Sequence, residues 1–125
     1  MRPYSERMAS TEPTFLFMFG FESPGEHVRN ERNGWDDESS WAVWIAAASS
    51  DAALTWGRQI AEDFVRQLFV RAGVAPRSWM TDDFAHWISA EESELQRARL
   101  EDSIPTVADG QMPDLSSALD YWSGR

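Results

Sequence analysis

The stretch DAALTWGRQIAEDFVRQLFVRA, residues 51–72, decides the fold of this chain. Its apolar residues recur at steps of three and four, which places them on one stripe of a helix with 3.6 residues per turn. A helix of this length would be about 33 Å long and would cover a small sheet from edge to edge. The stripe consists of Leu54, Gly57, Ile60, Ala61, Phe64, Val65 and Leu68.

Residues at the two ends of the stretch indicate where this helix begins and ends. Ser49 or Ser50 can accept a hydrogen bond from one of the first free amides. Gly73 can adopt the left-handed conformation after the last turn, and Pro76 prevents the helix from resuming. Gly57 costs about 1 kcal/mol relative to Ala in a helix interior, so we expect a sheet to cross the helix closely there.

The remaining apolar runs predict a sheet. Residues 14–21, TFLFMFGF, alternate four Phe side chains with a second apolar face, which is typical of a strand covered on both sides. Residues 41–48, WAVWIAAA, predict a second strand, and residues 77–88 supply one strand or two short ones. We expect short helices at residues 91–101 and 115–122, the latter capped by Asp114, with an irregular segment at 104–114. The order predicts an α+β fold with a three- to four-stranded sheet, one long helix on one face, and short C-terminal helices.

Length and composition limit the classes of protein to consider. The chain has 125 residues, no cysteine and a formal charge of −10. This size suits one domain, which we assign to residues 14–125, after a flexible tail at residues 1–13. The lack of cysteine excludes disulfides and fits the cytoplasm. The negative charge argues against nucleic acid or an anionic membrane as a partner, and leaves a protein with a basic surface.

The segment at residues 22–40 is the strongest candidate for a recognition surface. It is polar, contains an Asn33-Gly34 turn signal, and predicts a loop longer than a simple connection needs. Within it Trp35 precedes Asp36, Asp37 and Glu38, so an aromatic anchor would stand beside charges that attract a basic partner. Glu26 and Glu31 would extend this surface. The alternative is a solvated loop whose Trp35 tucks back onto the core.

Signatures of enzymes are scarce in the sequence. It contains no Gly-rich phosphate loop, no GxSxG elbow and no cysteine nucleophile. Asp82, Asp83 and His86 are weak metal candidates, because a histidine on an apolar strand face more often belongs to the core. We expect no cofactor and assign no catalytic residue.

Three functions remain open on these observations. The first is an acidic protein-binding module, of the immunity or inhibitor type, that neutralises a basic effector or toxin. The second is a small enzyme or metal-binding protein with a site between the sheet and the 22–40 loop. The third is a homodimeric structural protein joined through exposed Trp side chains or a sheet edge. The second would use Glu26, His27, Asp36, Asp82, Asp83 and His86.

Overall fold

Four strands form one mixed sheet in the computed structural model of this chain, which describes residues 12–125. Their order across the sheet is β3-β1-β2-β4, so β1 and β2 lie inside and two very short strands form the edges. β1 is antiparallel to β2 and β3, whereas β4 is parallel to β2. The strands are β1 (Thr14–Phe21), β2 (Ser39–Ala46), β3 (His86–Ile88) and β4 (Thr106–Ala108).

Within residues 12–125, three helices and one turn of 3₁₀ helix connect these strands, and a fourth helix follows β4. The α+β fold with one long helix and short C-terminal helices is confirmed. Most of the predicted tail, residues 1–11, lies outside the described residues. Within residues 12–125 no helix is both long enough and apolar enough to cross a membrane. The helices are α1 (Pro24–Asn33), α2 (Ser50–Arg71), α3 (Glu92–Arg99) and α4 (Ser116–Ser123), and the 3₁₀ turn is Met80–Asp82.

The long helix α2 begins and ends where its sequence predicts. The Ser49 hydroxyl accepts a hydrogen bond from the Ala52 amide at 3.1 Å, and Gly73 has a φ of +74° just after the last turn. Gly57 lies directly against the sheet, because a Cβ atom added there would stand 2.4 Å from ring atoms of Phe17. The absence of a side chain at Gly57 is therefore what lets the helix lie so close to β1.

The main core lies between α2 and the phenylalanine face of β1. Phe64 is fully buried on α2, and its ring meets those of Phe19 and Phe21 at centroid distances of 6.2 and 5.2 Å. Trp122 of α4 closes the same cluster, 5.2 Å from Phe21. Trp79 is also buried, and its indole Nε1 donates a hydrogen bond to the Gly20 carbonyl at 2.8 Å. The predicted orientation of the helix stripe towards the sheet is confirmed.

The opposite face of the sheet carries a smaller core beneath α3. Leu16 and Ala42 are buried there with Ala98 of α3, and Leu95 and Trp44 pack around them. β1 is therefore covered on both faces, as its two apolar faces predict.

Two expectations about local structure are wrong. The polar 22–40 segment is not one long loop, because its first half forms α1. Ser23 and Glu26 make a reciprocal capping box, in which each side chain accepts a hydrogen bond from the other residue's amide, and Pro24 occupies the first helical turn. The 104–114 segment is not wholly irregular either, because β4 pairs with the edge of β2.

Candidate functional site

The turn after α1 presents Trp35 and the three acids that follow it. Gly34 ends the helix in the left-handed conformation with a φ of +69°. The amides of Gly34 and Trp35 both donate to the Asn30 carbonyl, at 2.8 and 3.1 Å. Trp35 is 54% exposed, as an aromatic anchor would have to be, and does not tuck back onto the core. Asp36, Asp37 and Glu38 are exposed as well.

Asn30 fixes the backbone of this turn from below. It is 8% exposed, and its amide Nδ2 donates to the Asp37 carbonyl at 2.9 Å while its Oδ1 accepts from the Asp37 amide at 3.0 Å. The same Nδ2 also donates to Glu22 Oε2 at 2.5 Å. A single buried side chain therefore ties the acidic turn to the end of β1.

An open cleft adjoins the turn, and we call it the acidic cleft. Its volume is about 500 Å³. Five carboxylates and one guanidinium contribute to its lining, so its walls are strongly negative. The lining consists of Glu22, Asp36, Glu38, Arg77, Asp82 and Asp83, together with Phe84 and Ala85.

Arg77 lies at the centre of the contacts in this cleft. Its Nη1 is 2.5 Å from Glu22 Oε1 and 2.6 Å from His27 Nδ1. Its Nη2 is 2.7 Å from Asp82 Oδ2, an ion pair without hydrogen-bond geometry, so this buried oxygen accepts no hydrogen bond within residues 12–125. The Arg77 side chain is about three-quarters buried and is already paired with Glu22 and Asp82.

The pKa values of two carboxylates in the cleft, Glu22 and Glu38, are shifted in opposite directions. Burial raises the pKa of Glu22, but its side-chain contacts with Asn30, His27 and Arg77 outweigh burial, so that the pKa is lowered overall. The pKa of Glu38 is raised, first by partial burial and then by the negative charges of Asp36, Glu22 and Glu26. The charge of Glu22 is thus stabilised by contacts within the protein. The ionised form of Glu38 would be stabilised by a cation that a partner brings to the rim of the cleft.

The two remaining acids of the predicted surface have different surroundings. The Glu26 carboxylate accepts hydrogen bonds from the Ser23 amide at 2.8 Å and from the Ser39 hydroxyl at 3.0 and 3.1 Å. It serves the helix cap and the start of β2. The Glu31 side chain is 73% exposed, and its Oε2 lies 3.6 Å from His27 Nε2. Glu31 is therefore exposed to a partner, whereas the Glu26 carboxylate is already engaged in hydrogen bonds within the protein.

The weak metal candidates are not gathered around one point. Asp82 pairs with Arg77, and Asp83 turns the chain with a φ of +59°. The ring of His86 packs against Trp79 at a centroid distance of 5.0 Å, and its Nδ1 lies 2.9 Å from the Phe84 carbonyl. Within the described part of the chain, no three His, Asp or Glu side chains are arranged so that they could hold a metal ion.

Sequence reasoning missed three residues that organise this site: Glu22, Asn30 and Arg77. The Ser23-x-x-Glu26 capping box was the available signal for α1, and recognising it would have placed Asn30 in the last turn of a helix. No local pattern joins Arg77 to Glu22, because 55 positions separate them.

Comparisons with protein-family models, with curated proteins and with solved structures give no significant match to this chain.

Proposed function

We propose that this chain is an acidic protein-binding module, of the immunity or inhibitor type, that covers a basic site on an effector or toxin. The observation that carries the proposal is an exposed Trp35 on a backbone fixed by Asn30, directly beside the acidic cleft. A rigid aromatic and a ring of acids would then meet the partner together. We assign the encounter to the cytoplasm.

Charge supports attraction of a basic partner. The chain carries −10 overall, and the rim of the acidic cleft concentrates this charge at Asp36, Glu38 and Asp83. Such a field raises the rate of encounter with a positive surface and loses strength in salt. The raised pKa of Glu38 adds a local reason, because a Lys or Arg from the partner would relieve repulsion among these carboxylates.

Trp35 would act after the encounter. Tryptophan is enriched among residues that contribute most to the free energy of association, especially where the surrounding backbone is fixed before binding. Asn30 supplies that rigidity here, so little conformational entropy would be lost when the partner covers the indole.

The test begins with immobilised wild-type protein and an extract of cells that naturally produce it. A stoichiometric basic protein is expected to be retained and can then be purified for kinetic measurement. The triple variant Asp36→Asn, Asp37→Asn, Glu38→Gln should bind this partner with an association rate at least about tenfold lower at low salt. Its rate should also depend less on salt concentration. Trp35→Ala should mainly accelerate dissociation, by about tenfold or more.

A matched control removes the same three charges elsewhere. Glu91→Gln, Glu101→Gln and Asp109→Asn alter exposed acids that lie outside the acidic cleft. This control should keep most of the wild-type association rate. If both triple variants associated equally slowly with the partner, the effect would come from net charge alone. That result would contradict a specific binding surface at the acidic cleft. Light scattering of the free protein checks the homodimer that the sequence also leaves open.

A further inference from the structure

A second open cavity lies apart from the acidic cleft and shares no residue with it. It is a groove of about 690 Å³ between α4, the first part of β2, and the segment that leads into β4. Its lining includes three aromatic side chains and two carboxylates. We call it the aromatic groove and define it by Trp41, Tyr121, Trp122, Asp102 and Asp114.

The three aromatic rings stand at steep angles to one another. Trp41 and Trp122 have centroids 5.9 Å apart and planes at 61°, and Tyr121 and Trp122 are 4.9 Å apart at 87°. Both tryptophans pack on Phe64, at 5.0 and 5.8 Å, yet neither is fully buried. The core therefore holds the rings in place while part of each remains open to the groove.

Both charged residues that line the aromatic groove are acidic. Among residues 12–125, its lining contains Asp102 and Asp114 and no Arg, Lys or His. Asp114 is held in place, because its Oδ1 accepts hydrogen bonds from both the amide and the hydroxyl of Ser116. These hydrogen bonds also lower the pKa of Asp114, so the carboxylate stays charged.

Aromatic faces with nearby carboxylates suit an organic cation. A guanidinium or ammonium group is attracted to the electron-rich faces of Trp and Tyr, and a carboxylate adds a direct charge interaction. Arg125 does not belong to the lining of the groove, but its Cζ lies 4.0 Å from the centroid of the Tyr121 ring, so one of the three rings already contacts a guanidinium.

We propose that the aromatic groove binds a small organic cation that carries a guanidinium or ammonium group. Trp41, Tyr121 and Trp122 would contact its apolar and cationic surfaces, while Asp102 and Asp114 would balance its charge. The volume of the groove is in the range of sites that enclose a whole small molecule. This proposal does not depend on the protein partner of the acidic cleft.

The test uses two probes of nearly equal shape, n-butylguanidinium and the neutral n-butylurea. Binding is followed by NMR through the indole N–H signals of the tryptophans. The cation should give saturable shifts at Trp41 and Trp122 and should bind at least about tenfold more tightly than the urea. Equal affinities for the two probes, or no saturable shift with the cation, would overturn the proposal.

Two charge variants locate the site. Asp102→Asn with Asp114→Asn should weaken binding of the cation by about tenfold. The Asn side-chain oxygen can still accept the hydrogen bonds from Ser116, so the start of α4 should persist. Asp36→Asn with Asp37→Asn removes the same charge beside the acidic cleft and should leave binding unchanged. Loss of binding in the second variant alone would move the cation to the acidic cleft and refute the groove.

A third probe tests whether the groove binds a small molecule or an arginine side chain of a protein. A Gly-Arg-Gly peptide blocked at both ends carries the same guanidinium within a polypeptide. It should bind no more tightly than n-butylguanidinium, because the groove would enclose the small cation alone. A peptide that binds at least about tenfold more tightly would contradict the small-molecule proposal in favour of an arginine of a partner.

Discussion

The side chain of Asn30 pairs with both backbone groups of Asp37, donating to its carbonyl at 2.9 Å and accepting from its amide at 3.0 Å. This is the pairing that a neighbouring strand would supply, made here by one buried amide. It ties the exposed turn that carries Trp35 to helix α1. The proposed recognition surface thus depends on a residue that no partner would touch.

Asn30→Ala should therefore destabilise the protein by about 1–3 kcal/mol, since it removes these hydrogen bonds and the contact with Glu22. Urea unfolding measures the loss, and hydrogen exchange should show faster exchange at the Asp37 amide. Asn33→Ala is the control, because Asn33 is exposed and donates only to the Arg29 carbonyl within residues 12–125. Equal losses in the two variants would refute the role of Asn30.

Gly57→Ala should destabilise the protein although Ala favours a helix by about 1 kcal/mol. The new Cβ would stand 2.4 Å from Phe17 ring atoms, so α2 or β1 must shift, at a cost of about 1–3 kcal/mol. Arg58→Ala, at the exposed next position, should change stability by no more than about 0.5 kcal/mol. Thermal unfolding of both gives the comparison. Adding Phe17→Leu should make the loss from Gly57→Ala smaller, and simple additivity would contradict this contact.

Phe64→Ala should remove about 3–5 kcal/mol from the free energy of unfolding, because Phe64 is fully buried among aromatic rings. Arg66→Ala should cost under about 1 kcal/mol, since its side chain is 49% exposed and Glu62 keeps its hydrogen bonds from the Ser78 hydroxyl and the Met80 amide without it. Chemical unfolding compares the two. Similar losses would mean that the stripe of α2 does not carry the core.

The lowered pKa of Glu22 predicts a dependence of stability on pH. With a folded pKa below the ordinary value of 4.5, the unfolded state binds more protons between the two values, so stability rises with pH there. This contribution is fully present above pH 4.5 and is lost as the pH falls through the folded pKa. Glu22→Gln should therefore flatten this part of the curve in urea unfolding at a series of acid pH values. An unchanged curve would contradict the prediction.

The ionisation of Glu38 should affect folding stability in the opposite direction to that of Glu22. The raised pKa of Glu38 means that its ionisation opposes folding above pH 4.5, and most strongly above the folded pKa. Glu38→Gln should leave stability at pH 7 equal or slightly higher, by roughly half a kcal/mol at most for so exposed a group. A clear loss of stability would show that the carboxylate makes a favourable contact.

Local patterns predicted the elements that carry strong periodicity. The stripe of α2, the cap at Ser49 and the turn at Gly73 needed only neighbouring residues. Helix α1 was missed because it is almost wholly polar and has no apolar periodicity. The capping box of Ser23 and Glu26 was the only clear sequence signal for it. β4 has three residues, and it is a strand because the edge of β2 pairs with it, which no local pattern reveals.

The candidate site was predictable to a similar degree. The exposure of Asp36, Asp37 and Glu38 followed from their charge, whereas for Trp35 the sequence left both an exposed and a packed position open. The surroundings of Glu22 did not follow from the sequence, because Arg77 comes from the segment after α2 and reaches it only in the folded chain. The aromatic groove also combines residues from three distant segments, so neither its volume nor its charge could be read from composition.

The order of elements in the sheet has a consequence for how fast the chain folds. β1 lies inside the sheet, yet its neighbour β3 comes after the whole of α2, and the ring that closes its core, Trp122, comes later still. Few of these pairings can form before long loops have closed, and loop closure costs entropy before any contact compensates for it. We therefore expect folding in milliseconds to seconds, the range of mixed and β-rich domains, and a transition state in which β1 has already met α2.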